Sequence, residues 1–311
     1  MPRLLRELIC VLEEKMSSRT LGYVLLSLAM MTVGSTVIAS KLIAGNMPAF
    51  FATALRFALA LPVLLALVFW QRERWPKLLF RDWVLLLLQA GAGSVGYTTL
   101  LIAGLSHLSA ADAGVIIGTL PAVSALFSVI VLSERPGLRL LISVVLATLG
   151  VMAVAWKGTG PSSSIGMLYI LGAVVCESAF ILLNKRIPVP LRPLLQATTM
   201  TGLGLLVSLP FAFLELPPSM PDAAAIGAVV WYALVPTVAG FLLWYGGAVR
   251  VSGSEASVFT AVAPLTAVTL AALVLGEQIG WVQIVGVATV ILAIFVLTFP
   301  VRTRARTVLT Q

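Results

Sequence analysis

Ten stretches of about 20 mostly apolar residues follow one another along the chain with only short polar connections, and one soluble core cannot hide so many. They run over 21–41, 49–70, 83–105, 109–132, 138–156, 165–184, 195–215, 224–249, 255–275 and 281–299. Each is long enough to cross roughly 30 Å of hydrocarbon as a helix. Turn and breaker residues mark the joints, as in Gly45-Asn46-Met47-Pro48, Arg135-Pro136-Gly137 and Pro217-Pro218. Composition agrees: 60% of residues are hydrophobic, 10% are charged and the mean hydropathy is +1.07. Soluble chains hold about 45 to 50% apolar and about 25% charged residues. The fold class expected is an all-α integral membrane protein with ten transmembrane helices.

Basic residues collect on one side of this ladder. Arg3, Arg6, Lys15 and Arg19 precede the first run; Arg72, Arg74, Lys77 and Arg81 follow the second; Arg135 and Arg139 follow the fourth. Lys185, Arg186 and Arg192, then Arg250, then Arg302, Arg304 and Arg306 continue the series at the sixth, eighth and tenth. The opposite side has Lys41 and Lys157. Because cytoplasmic loops carry the Lys and Arg excess, both termini are expected in the cytoplasm of a cell with its inner membrane spanned. The net charge of +8 is thus a product of topology, and no nucleic-acid partner is expected. Residues 1–20 read as a cytoplasmic N-terminal segment, of which 1–16 are an interfacial amphipathic helix or a disordered extension, and 300–311 as a cytoplasmic tail.

The chain repeats itself. A shift of 143 brings Ser109 onto Ser252, Asp112 onto Glu255, Pro121 onto Pro264, Glu134 onto Glu277 and Gly137 onto Gly280, with eleven identities over 104–156. A shift of 144 aligns the first runs, Gly22 with Gly166 and Lys41 with Lys185. The repeats, 21–156 and 165–299, hold five spans each, an odd number, so the second must enter the membrane from the opposite side. Inverted repeats of this kind are common in secondary transporters, which bind substrate near the midplane between their halves.

The segments VGSTVIASKLI (33–43), ATALRFALALP (52–62), LPAVSALFSVIVLSERP (120–136) and APLTAVTLAALVLGEQIG (263–280) resemble the EamA family of the drug/metabolite transporter superfamily. The resemblance spans about 21–299 and implies a ten-helix inner-membrane carrier of small metabolites, often an exporter of amino acids or related compounds. A tryptophan-glycine pair common in that family's first span stands here as Val33-Gly34, so no stacking role for that ring carries over.

Arg56 and Glu177 are the ionisable side chains well inside a span, which makes them candidate substrate ligands. Arg56 lies about 9 Å from the outer end of its helix, so it either snorkels to the interface or serves as a cavity cation. Glu177 either meets a substrate amine or a coupling proton, or it closes a salt bridge or faces a water-filled vestibule. Tyr97 and Trp244 are deep rings suited to a mixed pocket, and Thr119 and Thr260 are hydroxyls beside Pro121 and Pro264. Pro121, Pro264 and Pro236 are expected to kink their helices, with the carbonyls of Ile117 and Thr260 losing their usual donors; such a kink either lines a cavity or is sealed by packing.

Other features have structural readings. Ser109-Ala-Ala-Asp112 and Ser252-Gly-Ser-Glu255 have capping-box spacing. Gly91-Ala-Gly93-Ser-Val-Gly96 lies in an apolar span without a preceding strand, so it reads as a packing surface and not as a dinucleotide loop. Gly114-Val-Ile-Ile-Gly118 suits tight helix contact within the bundle or across a homodimer. Cys10, Cys176 and the single His107 cannot build a metal site or a disulfide framework, and no ATP-binding motif occurs, so no metal or cofactor is expected. The partners left are the lipid bilayer and a small-molecule substrate moved by alternating access. The rivals are an intramembrane enzyme acting on a lipid-linked substrate, which lacks a nucleophile-base pair, and a channel, which lacks a polar lining.

Overall fold

A computed structural model describes residues 17–44, 46–107, 137–155, 164–187, 191–217, 220–275 and 281–298, with 116, 117, 119, 120, 122–124, 127 and 130 between them. The described residues are helical throughout, with short connections. In chain order the helices are α1 (Ser18–Ile43), α2 (Ala49–Trp70), α3 (Phe80–Leu105), α4 (Leu138–Ala155), α5 (Ser164–Arg186), α6 (Pro193–Leu214), α7 (Ala223–Ala248), α8 (Gly253–Phe259), α9 (Val262–Leu275) and α10 (Trp281–Thr298). Six of them, α1, α2, α3, α5, α6 and α7, are long and apolar enough to cross a membrane. The expected capping box at Asp112, the Gly114–Gly118 stripe, Pro121, Glu134 and Glu277 lie outside the described residues, as do 1–16 and 299–311.

Helix starts follow local chemistry. Ser17 caps α1 by accepting from Thr20 N, and Asp222 caps α7 by accepting from Ala225 N at 2.6 Å. Pro193 opens α6, where its missing N–H costs nothing. At α8 the box is complete: Glu255 N donates to Ser252 Oγ at 3.1 Å and Ser252 N donates to Glu255 Oε2 at 2.9 Å. The same carboxylate pairs with Arg19 and accepts from Tyr23 Oη at 2.7 Å, so it also ties the start of α1 to the start of α8. The Tyr23 ring stacks on Phe259, centroids 4.9 Å apart.

Small residues set the helix crossings. A Cβ on Gly22 would stand 2.9 Å from Arg250 Cβ, and one on Gly247 would stand 2.9 Å from Gly22 O, so α1 and α7 meet backbone to backbone. Gly34 faces Ala263 and Thr266 of α9 in the same way, and Gly93 and Gly104 face Phe180 and Ile170 of α5. The packing reading of the glycine run therefore holds at Gly93, and at Gly96, which lies against Cys176; Gly91 has open space.

Two expectations change. The span read as continuous over 255–275 is broken into α8 and α9 at Thr260-Ala261. Pro264 stands in the first turn of α9, where a proline is tolerated, so the chain restarts a helix there instead of bending one. The carbonyl of Thr260 is accordingly not left without a donor, because Ala263 N reaches it at 3.2 Å. The second change is that α3 and α7 are not uniform: Ala90–Gly96 and Ala233–Gly240 are π-helical turns. Their starts differ by 143 positions and their ends by 144, the two offsets that superpose the sequence repeats.

Candidate functional site

The π-helical turns face one cavity. It encloses about 560 Å³, its mouth included, and draws its walls from α1, α2, α3, α5 and α7. The α1 wall is Ala29, Met30, Val33 and Thr36, all small or flexible side chains. Gly93 and Ser94 come from one π turn, and Pro236, Thr237 and Gly240 from the other. A wide turn interrupts the regular backbone ladder, and such interruptions favour functional sites. Here the carbonyl of Ser94 accepts from Arg56 Nη2 at 2.7 Å and from Thr98 Oγ1 at 3.3 Å, and that of Tyr232 accepts from Thr237 Oγ1 at 2.8 Å.

Arg56 is 5% exposed and its guanidinium turns into the bundle, away from the interface that snorkelling would need. Its Cζ lies 4.3 Å from the ring centre of Phe57 and 4.4 Å from that of Tyr232, and Nη2 also reaches Thr98 Oγ1 at 3.3 Å. Its Nε is buried with no hydrogen-bond partner. Glu177 lines the same cavity from α5. Among the described residues it has no ion-pair partner, so the salt bridge offered as its alternative role does not form with Arg56.

One helical turn beyond Glu177, Phe180 gathers the aromatic end of the cavity. Its ring centre lies 6.3 Å from Phe241, 6.3 Å from Trp244 and 6.1 Å from Tyr245. Trp244 Nε1 and Tyr245 Oη are buried without partners. Tyr97 joins the lining from α3.

Of the sequence candidates, then, Arg56, Tyr97, Glu177, Trp244 and Pro236, the last expected to kink its helix and found in a π-helical turn, line one cavity. Thr119 and Thr260 are not in its lining. Thr119 Oγ1 donates to Ile116 O at 2.7 Å, a bond internal to its own turn, and Thr260 is buried at the α8–α9 break. Tyr232 was not singled out by the sequence reading. It stands nine residues into α7, about 14 Å at 1.5 Å per residue, and that depth is the signal that separates it from an interfacial belt tyrosine.

The model of the EamA-like transporter family matches the chain twice, over residues 20–156 and 164–299. The chain belongs to the EamA-like transporter family. Among the relatives of this EamA-like chain is the uncharacterized transporter YetK of Bacillus subtilis (strain 168), 34% identical over 283 residues, which cover 88% of this chain and 86% of YetK. The uncharacterized transporter YdeK of the same organism is 25% identical over 268 residues, 86% of this chain and 93% of YdeK. A protein of solved crystal structure aligns with a TM-score of 0.72 at 20% identity, over 91% of this chain and 96% of that one, which speaks for the fold alone. An EamA-like chain with apolar helices of spanning length is a multi-pass membrane transporter.

Proposed function

We propose that this EamA-like protein is a secondary carrier that exports a small zwitterionic metabolite, such as an amino acid, by alternating access. The observation that carries the reading is the shared cavity of Arg56 and Glu177, opposite charges that do not neutralise each other. A buried charge is costly unless something pairs with it, and a substrate bearing both a carboxylate and an ammonium satisfies both at once. Arg56 then meets the carboxylate, Glu177 meets the ammonium, and Tyr97 and Trp244 flank the organic body. The two π-helical turns, at equivalent places in the two halves, suit a device in which one half's shape is exchanged for the other's.

The same reading takes the chain through the inner membrane ten times, as repeats 21–156 and 165–299 of five helices with inverted orientation. Its basis is the distribution of Lys and Arg, which also puts both termini in the cytoplasm. Six helices of spanning length agree with a multi-pass chain. The energy comes from a gradient or from exchange.

Counterflow in proteoliposomes tests the proposal. Vesicles loaded with one unlabelled amino acid or related metabolite are given the labelled form outside, with and without a pH gradient. The expected result is saturable uptake of a compound carrying both charges and much weaker uptake of its amide or its deaminated analogue. Equal uptake of all three forms would overturn the assignment of the two side chains.

A further inference from the structure

Besides its two charges, the cavity has a polar group in its wall that the protein leaves unmatched. Trp244 is in the lining and 3% exposed, and its Nε1 has no hydrogen-bond partner among the described residues. A buried indole N–H ordinarily finds an acceptor, because an unmatched donor keeps the full cost of its desolvation. Tyr245 Oη is unmatched as well, but Tyr245 is not in the cavity lining.

The place of Trp244 along the cavity narrows what can complete it. Tyr232, whose ring lies against Arg56, and Trp244 stand toward opposite ends of the lining on α7, twelve residues apart and so roughly 18 Å at 1.5 Å per residue. The helices α5 and α7 end side by side, where Lys185 Nζ donates to the carbonyls of Ala248 and Val251, so both approach the same end of the bundle. On α5, Phe180 comes three residues nearer that end than Glu177, and its ring centre is 6.3 Å from that of Trp244. The indole therefore lies about one turn, or 5 Å, past Glu177 on the side away from Arg56.

A zwitterion with its carboxylate at Arg56 and its ammonium at Glu177 thus directs its side chain toward the indole. What surrounds that side chain is aromatic: Phe180, with Phe241 and Trp244 each 6.3 Å from it. The cation at this end, Lys185, is engaged by two backbone carbonyls. Rings replace the hydration of a charged group poorly, so the acceptor that suits Nε1 is a neutral oxygen.

We infer that Trp244 Nε1 is a specificity-determining donor, and that the substrate is a zwitterion whose side chain ends in an uncharged acceptor oxygen, a hydroxyl or an amide. The inference rests on the zwitterion reading above and adds a third contact to it. The rings hold the carbon atoms of the side chain, and the N–H selects the group that ends it.

Matched ligands test this on purified full-length protein. Homoserine and norvaline differ by a terminal hydroxyl in place of a methyl group, and glutamine and glutamate by an amide in place of a carboxylate. Their binding is measured calorimetrically for the parent and for Trp244→Phe, which keeps a ring and removes the donor. The parent is expected to prefer homoserine to norvaline and glutamine to glutamate, each by roughly tenfold. Trp244→Phe is expected to lose the first preference and keep the second, which the rings impose. A second readout needs no variant. With the tryptophans labelled at the indole nitrogen, one of the seven N–H resonances of the parent moves downfield with homoserine and not with norvaline. Equal binding of homoserine and norvaline by the parent, a hydroxyl preference that survives in Trp244→Phe, or indole resonances that respond alike to both compounds would overturn the role of Trp244 while leaving the zwitterion reading in place. Absence of binding by all four compounds is a different pattern, and it would overturn the zwitterion reading and this inference with it.

Discussion

At the scale of single residues the molecule puts its charges to two different uses. Glu255 is structural: it completes the cap of α8, pairs with Arg19 and accepts from Tyr23. Removing it as Glu255→Ala is expected to cost about 1 to 2 kcal/mol, the size of a lost cap. The Arg19 ion pair adds little to that figure, because the Arg19 side chain is 63% exposed. A lower thermal midpoint in detergent with counterflow intact would be the signature, and an unchanged midpoint would refute it. Arg56 and Glu177 are set apart by having no carboxylate or cation of their own among the described residues. Val33 offers a converse test. It lines the cavity where the family resemblance leads one to expect tryptophan, so Val33→Trp places a ring in the substrate space. The expected outcome is loss of counterflow with the thermal midpoint held within a few degrees; full activity would mean that the α1 wall is not part of the site.

At the scale of elements, what was legible in the sequence is what local chemistry decides. The caps, the apolar lengths and the repeat offsets depend on neighbours along the chain, and α1, α2, α5 and α6 follow the expected runs closely. Arg56 and Glu177 stood out because a charge in an apolar run is visible by itself. The π-helical turns were not legible. Gly91 to Gly96, and Pro236 with Gly240, announce only that a regular helix is weak there, and whether it kinks, breaks or widens is settled by what packs against it. At Gly93 the neighbour is the Phe180 ring and its Cβ, which leave no room for a methyl group. Gly93→Ala should therefore destabilise by about 1 to 3 kcal/mol through overpacking. Gly91→Ala, with nothing within 4 Å, should be neutral or slightly stabilising, and thermal unfolding of the pair distinguishes a packing role from a general need for glycine. Pro121 and Pro264 suggested free carbonyls at Ile117 and Thr260, but the break at Thr260-Ala261 lets Ala263 N satisfy that of Thr260 within its own turn.

For the whole molecule, the proposed topology follows from one count, the Lys and Arg on alternate connections. Reporter fusions after residues 76, 136 and 188, and at both ends, should all give cytoplasmic signals, while fusions after 46 and 158 should give external ones. A cytoplasmic signal at 46 or 158 would break the inverted-repeat arrangement and with it the argument for alternating access. If the arrangement is right, the cavity belongs to both halves: Val33, Arg56 and Tyr97 from the first, Glu177, Tyr232 and Trp244 from the second. Neither half then binds substrate alone. The asymmetry within this near-symmetry, a cation contributed by one repeat and an anion by the other, is what would give a zwitterion its preferred orientation.

The central claim, that these two side chains read opposite ends of one substrate, is tested most directly by neutralising each charge in turn. Binding of the counterflow substrate, its amide and its deaminated analogue is measured for the parent protein, Arg56→Gln and Glu177→Gln. A charge-assisted hydrogen bond is worth about 1.5 to 3 kcal/mol, so Glu177→Gln should weaken the substrate by roughly tenfold or more while leaving the deaminated analogue nearly unaffected. Arg56→Gln should do the same with respect to the amide. Equal losses for all three compounds in both variants, or no loss in either, would contradict the account.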